Sequence, residues 1–154
     1  MKKLLGGAAV CALTVGLVAA PGASAVKAPK QVSGTVSVSA TPTTITPTTT
    51  SVTASGNVAS NSGCRKDRIV RFAYVNGTTV TPLAETAETR SNGNYSVVLP
   101  KPTDLAPATV LLRATVDQQV RKVGSKKKGK KAKKGRKFNC LQLTADSSAL
   151  TITP

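Results

Sequence analysis

The chain has 154 residues, with 22 Lys and Arg against 6 Asp and Glu, a formal net charge of +16, no His and no Trp. Without an imidazole, neither a Ser-His-Asp nor a Cys-His nucleophile can be assembled, and zinc sites built on His are excluded. At this length the chain has room for one domain with a modest core.

Residues 1–25 have the pattern of a secretory signal peptide. Lys2 and Lys3 precede an apolar run, and small residues fill positions 23–25, where a signal peptidase cleaves. The run contains glycines and reaches only about 17 residues, short of the roughly 20 that span a bilayer. The sequence therefore predicts cleavage of this leader and a mature chain, residues 26–154, that is secreted or associated with the cell wall.

From residue 31 onward, Ser and Thr alternate with apolar residues at a period of two, which is typical of half-buried strands. The first predicted strand carries Val32, Val36 and Val38 on one face. Pro42 and Pro47 follow, and because proline cannot donate a ladder hydrogen bond they mark a sheet edge or a crossing between sheets. Alternation then resumes over the next predicted strand.

The cysteines predict a disulfide. Removal of the leader takes away Cys11 and leaves Cys64 and Cys140 in an exported chain, where oxidation is the default. Closing a loop of roughly 76 residues would stabilise the fold by about 4 to 5 kcal/mol. Two buried free thiols are the alternative, but the loop-like neighbours of Cys64, residues 61–63, favour the disulfide.

Further strands and turns follow along the chain. Residues 68–75 are more continuously apolar than the preceding strands, as a central strand would be, and residues 109–116 and 149–153 alternate. Asn76-Gly77 and Asn92-Gly93 each predict a hairpin, because Asn-Gly tolerates the positive backbone angles of a type I′ turn. No segment shows a sustained period of 3.6 residues. An all-β chain of about seven strands, folded as an antiparallel sandwich, is therefore expected.

The lysine segment, residues 121–137, is the one feature with chemical content. Eleven of its 17 residues are basic and none is acidic. Charges at this density repel one another, so a flexible insertion or a frayed hairpin is expected. The candidate polyanion-binding residues are Lys126, Lys127, Lys128, Lys130, Lys131, Lys133, Lys134, Arg136 and Lys137.

Three partners suit these cations: an anionic polymer of the cell wall, an anionic lipid surface and extracellular nucleic acid. Lysine outnumbers arginine, which favours point-charge attraction over bidentate phosphate recognition. The segment has no aromatic residue on which bases could stack, and no apolar face for insertion into a bilayer. The alternative is a solvated segment that only keeps the protein soluble.

Four stretches resemble the immunoglobulin-like domains of secreted bacterial proteins: residues 38–47 (VSATPTTITP), 51–58 (SVTASGNV), 91–100 (SNGNYSVVLP) and 111–116 (LLRATV). Hairpins of carboxypeptidase-regulatory-like sandwiches are similar as well. The resemblance implies a single immunoglobulin-like antiparallel β-sandwich in a structural or adhesion-like setting. The chain departs from antibody-type domains because it has no Trp and Cys64 precedes a strand. In that topology the loops bearing Cys64 and Cys140 lie at the same end, which is compatible with the disulfide.

The carboxylates predict no catalytic or metal site. Glu85 and Glu88 lie three residues apart, and Asp104, Asp117 and Asp146 are isolated in sequence. Neither a glycosidase pair nor a calcium site is indicated. We therefore expect a non-enzymatic exported module without metal, cofactor or small-molecule substrate. The alternative is a secreted ligand- or protein-binding domain, inhibitor-like, in which the lysine segment only solubilises.

Overall fold

The computed structural model describes residues 28–102, 108–124 and 136–154. The predicted leader, residues 1–25, lies outside the described residues, as do Asp104 and residues 125–135, which include the lysines from Lys126 to Lys134. Within the described ranges, no helix is long and apolar enough to cross a membrane.

The described residues form twelve strands, and their order accounts for the position of the lysine segment. In chain order the strands are β1 (Lys30–Val32), β2 (Thr35–Thr41), β3 (Thr44–Ile45), β4 (Ser51–Ala59), β5 (Ile69–Asn76), β6 (Thr79–Glu88), β7 (Asn94–Pro100), β8 (Thr109–Val116), β9 (Gln119–Val123), β10 (Arg136–Cys140), β11 (Leu143–Asp146) and β12 (Leu150–Ile152).

The strands form three sheets. Two larger sheets have the orders β2-β4-β7 and β3-β12-β8-β5-β6, with β11 also paired to β8, and a small third sheet has the order β1-β10-β9. Pairing is antiparallel except between β1 and β10 and between β3 and β12. The prediction of an all-β chain is confirmed, and the strand count exceeds seven because short strands flank both the first segment and the lysine segment.

The two larger sheets share one core. Alternate residues of β8 are fully buried from Val110 to Val116, as the alternation predicts. Val52 and Leu99 bury their side chains from the β2-β4-β7 sheet into the same cluster. The rings of Phe72 and Tyr95, one from each sheet, have centroids 5.9 Å apart. The arrangement is sandwich-like, held by apolar burial between facing sheets.

Tyr95 packs across its own sheet because β4 has a glycine opposite it. Its hydroxyl donates to the Ser37 carbonyl of β2 at 2.6 Å. A Cβ at Gly56 would lie 2.5 Å from that hydroxyl oxygen and 2.0 Å from the Ser37 carbonyl oxygen. Only glycine therefore leaves room for the ring at this position. Burial raises the pKa of Tyr95 to about 12.

The predicted turns had different outcomes. Asn76-Gly77 joins the paired strands β5 and β6, with Gly77 at φ +57°, so this hairpin prediction is confirmed. Asn92-Gly93 connects β6 to β7, which belong to different sheets, so the hairpin prediction there was wrong. Gly93 does adopt the positive φ, +90°, that the dipeptide predicts. A local turn signal thus identifies the backbone conformation but not which strands pair.

The first predicted strand is divided in two. The chain leaves the ladder at Ser33 and Gly34, so that β1 pairs with β10 and β2 pairs with β4. Beyond β2, the prolines accompany the expected crossing, because β3 pairs with β12 in the opposite large sheet. The result places Lys30 beside the lysine segment rather than in the sandwich.

Candidate polyanion-binding site

The lysine segment begins and ends on a hairpin. Strands β9 and β10 pair antiparallel, with Lys122 opposite Lys137 and Arg121 opposite Phe138. Residues 121–123 and 136–137 therefore belong to paired strands, and the predicted flexible insertion otherwise falls on residues 125–135, outside the described residues. This hairpin fixes the points from which residues 125–135 depart.

The predicted disulfide is confirmed. Cys64, in the turn after β4, is bonded to Cys140, the last residue of β10, with Cα atoms 5.5 Å apart. Both residues are fully buried. The bond attaches the small sheet covalently to the sandwich at the end where β4 leads into β5.

Arg68 holds the same junction together without an acidic partner. The residue is 1% exposed, and its guanidinium donates to the carbonyls of Cys64 at 2.9 Å, Asp117 at 2.6 Å and Leu141 at 2.9 Å. These carbonyls come from the β4–β5 connection, the residue after β8 and the residue after β10. Burial lowers the pKa of Arg68, and the positive charge of Arg121 acts in the same direction. The guanidinium nevertheless stays charged.

A second cation, Arg121, attaches β9 to the turn that precedes β5. Its guanidinium donates to Asp67 at 2.7 Å and also to the Lys66 carbonyl. Hydrogen bonds from Arg121 and Lys66 lower the pKa of Asp67. Asp67 is thus charge-compensated by Lys66 and Arg121, while its neighbour Arg68 donates to carbonyls instead. Arg121 faces the sandwich, so the residues beside it in β9 face away.

The small sheet is strongly positive. Of its 13 residues, five are basic and none is acidic. Arg136 and Lys137 are exposed, as is Lys122. None of the ion pairs formed among the described residues includes these three cations. Their charge is therefore available to an external anion.

The β2-β4-β7 sheet, in contrast, is electrically neutral, because none of its 23 residues is charged. Its outward face is built mostly from hydroxyl and amide side chains, with Val98 also exposed, and the Ser39 and Ser55 hydroxyl oxygens lie 3.1 Å apart. The positive charge of the described residues is therefore concentrated away from this face.

The carboxylates do not converge in the parts of the chain that the structure describes. Glu85 and Glu88 lie three positions apart on β6, where Glu85 is half-buried and Glu88 is exposed. Asp146 pairs with Arg113 through two hydrogen bonds of 2.7 and 2.8 Å. The Arg113 guanidinium lowers the pKa of Asp146. Across residues 28–102, 108–124 and 136–154, no three Cys, Asp or Glu side chains group as metal ligands would.

Of the nine candidate residues, the structure describes only Arg136 and Lys137, and it places both on β10. Sequence reasoning missed the contribution of Lys122, which lies within the lysine segment but outside its central run. It also missed Arg68, because a single arginine among other charged residues has the same local pattern as a solvated one. The alternation of Phe138 and Cys140 was a weak signal for β10.

Comparison with protein-family models, with curated proteins and with solved structures gives no match for this chain. The functional argument therefore depends on the residues and contacts described above.

Proposed function

We propose that this protein is a non-enzymatic exported module that binds anionic polymers of the cell surface through its lysine segment. The observation that carries the proposal is the attachment of that segment. Its two ends lie on a hairpin joined to the sandwich by Cys64–Cys140 and Arg68, and the exposed cations there have no acidic partner among the described residues. A firmly attached, uncompensated positive charge attracts polyanions.

We also propose that the sandwich is immunoglobulin-like. The order β2-β4-β7 facing β3-β12-β8-β5-β6, with the chain switching sheets between β2 and β3, supports this topology. In such a domain the β4–β5 and β8–β11 connections lie at one end. The hairpin that carries the lysine segment is then an insertion into the second of these connections.

Export is supported by the leader pattern and by the disulfide. Disulfides persist in oxidising compartments and are rare in the cytosol. An exported module meets the polymers of the cell envelope, which makes wall association the natural setting for its positive end.

Among polyanions, the residues favour a linear phosphodiester polymer of the wall teichoic acid class. Lysines attract phosphates as point charges and need no fixed fork geometry. Residues 121–137 contain no aromatic side chain, so base stacking gives nucleic acid no advantage. Their few apolar residues form no face that a bilayer would bury.

Binding of purified poly(glycerol phosphate) to the mature protein tests this function. We expect replacement of Lys126, Lys127, Lys128, Lys130, Lys131, Lys133 and Lys134 by Gln to weaken binding at least about 10²-fold, since each lysine near an anionic surface contributes about 1 kcal/mol. Replacement of the same seven residues by Arg, the matched control, should retain binding. Undiminished affinity of the Gln variant would favour the solubilising alternative, and no binding by the wild type would refute the proposal.

A further inference from the structure

We propose that Lys122 and Lys137 together form a phosphate-binding site on the hairpin. This inference rests on the proposed function and names two residues of the paired strands that take part in it. The two lysines are direct cross-strand partners on β9 and β10. Directly opposed residues of an antiparallel pair share one face, with Cβ atoms about 4.5 to 5.5 Å apart. Both residues are exposed.

The neighbours of the pair show which way it faces. Arg121 precedes Lys122 and reaches Asp67 on the sandwich at 2.7 Å. Cys140, three residues after Lys137, is buried in the disulfide on that same inner face. Since side chains alternate along a strand, Lys122 and Lys137 project from the outer face. An extended polymer can therefore reach both without displacing the sandwich.

The free pair is electrostatically unfavourable. Like charges placed directly opposite each other on a sheet destabilise it, and the small sheet supplies no carboxylate to compensate them. An anion placed between the two ammonium groups would convert this repulsion into two attractions. A phosphodiester suits the position, because its two free oxygens can accept one hydrogen bond from each lysine.

Neither lysine of the pair forms an ion pair among the described residues, whereas several other cations there are engaged. Lys66 and Arg121 share Asp67, Arg71 pairs with Asp117, and Arg113 pairs with Asp146. Lys101 donates to the Pro47 carbonyl at 3.1 Å. A ligand at Lys122 and Lys137 would not have to break an existing contact.

A double-mutant cycle on the full mature protein, with poly(glycerol phosphate) as the probe, tests the site. We expect K122Q and K137Q each to weaken binding about tenfold. The affinity lost by the double variant should be clearly smaller than the product of the two single losses, because both lysines bind one phosphate. The variant R90Q/K101Q, which removes two charges elsewhere, should lose less than about threefold. Additive losses, or losses equal to those of R90Q/K101Q, would overturn the site.

Thermal unfolding of the free protein supplies an independent readout. K137E replaces a repulsive cross-strand pair by an attractive one, so its melting temperature should rise while its affinity for poly(glycerol phosphate) falls. A melting temperature that falls along with affinity would contradict the proposal. The failure of the proposed function is distinguishable, because then the wild type itself would not bind the polymer.

Discussion

At the residue scale, the cationic end depends on Arg68. Its guanidinium brings together carbonyls from three separate connections, and no carboxylate lies among its hydrogen-bond partners. The sequence could not reveal this, because the three carbonyls belong to positions up to 73 residues away. The pairing of Asp67 with Lys66 is visible in the sequence, because the two residues are neighbours. Its pairing with Arg121 is not, because Arg121 lies on a distant strand.

Replacing Arg68 by Met should lower the free energy of unfolding by about 2 to 4 kcal/mol, because one buried and two partly buried hydrogen bonds to carbonyls would be lost. Arg71→Met is the matched control. The Arg71–Asp117 pair is exposed, with 63% of the Arg71 side chain accessible, so that change should cost less than about 1 kcal/mol. Urea unfolding monitored by circular dichroism measures both. Equal midpoints for the two variants would show that Arg68 does not hold the junction.

At the scale of elements, the sandwich strands were more predictable than the small sheet. The central strand β5 and the alternating strand β8 bury apolar residues, so their patterns are visible in sequence. Strands β9 and β10 instead attach through Arg121, a disulfide and a parallel neighbour, none of which leaves a periodic apolar signal. The leading strand was divided for the same reason, since β1 pairs with a strand more than 100 residues away.

Reduction of the disulfide tests how far the hairpin depends on it. Cys64 and Cys140 are 76 residues apart, so in the chain-entropy model the bond contributes about 4 to 5 kcal/mol to the free energy of unfolding. The variants C64S, C140S and C64S/C140S should all lower the urea midpoint by the same large amount. A reducing agent should lower the midpoint of the wild type equally. If the reduced wild type kept its midpoint, the bond would not stabilise the fold.

At the scale of the whole molecule, charge is segregated. One large sheet contains no charged residue, whereas the small sheet has five basic residues and no acidic one. The net charge of +16 could be read from composition and its concentration from the run of lysines. The covalent attachment of that run to the sandwich, and the opposed pair Lys122–Lys137, required the strand register. A local charge of this kind predicts binding that counterions control.

The dependence of affinity on salt tests the central claim most directly. For the wild-type mature protein and poly(glycerol phosphate), the logarithm of the association constant should fall linearly with the logarithm of salt concentration. With roughly six to ten phosphate contacts and a slope of about 0.7 per contact, as for single strands, affinity should drop about 10²- to 10⁴-fold between 50 and 200 mM salt. Affinity that stays constant over this range, or no binding at 50 mM, would contradict the account.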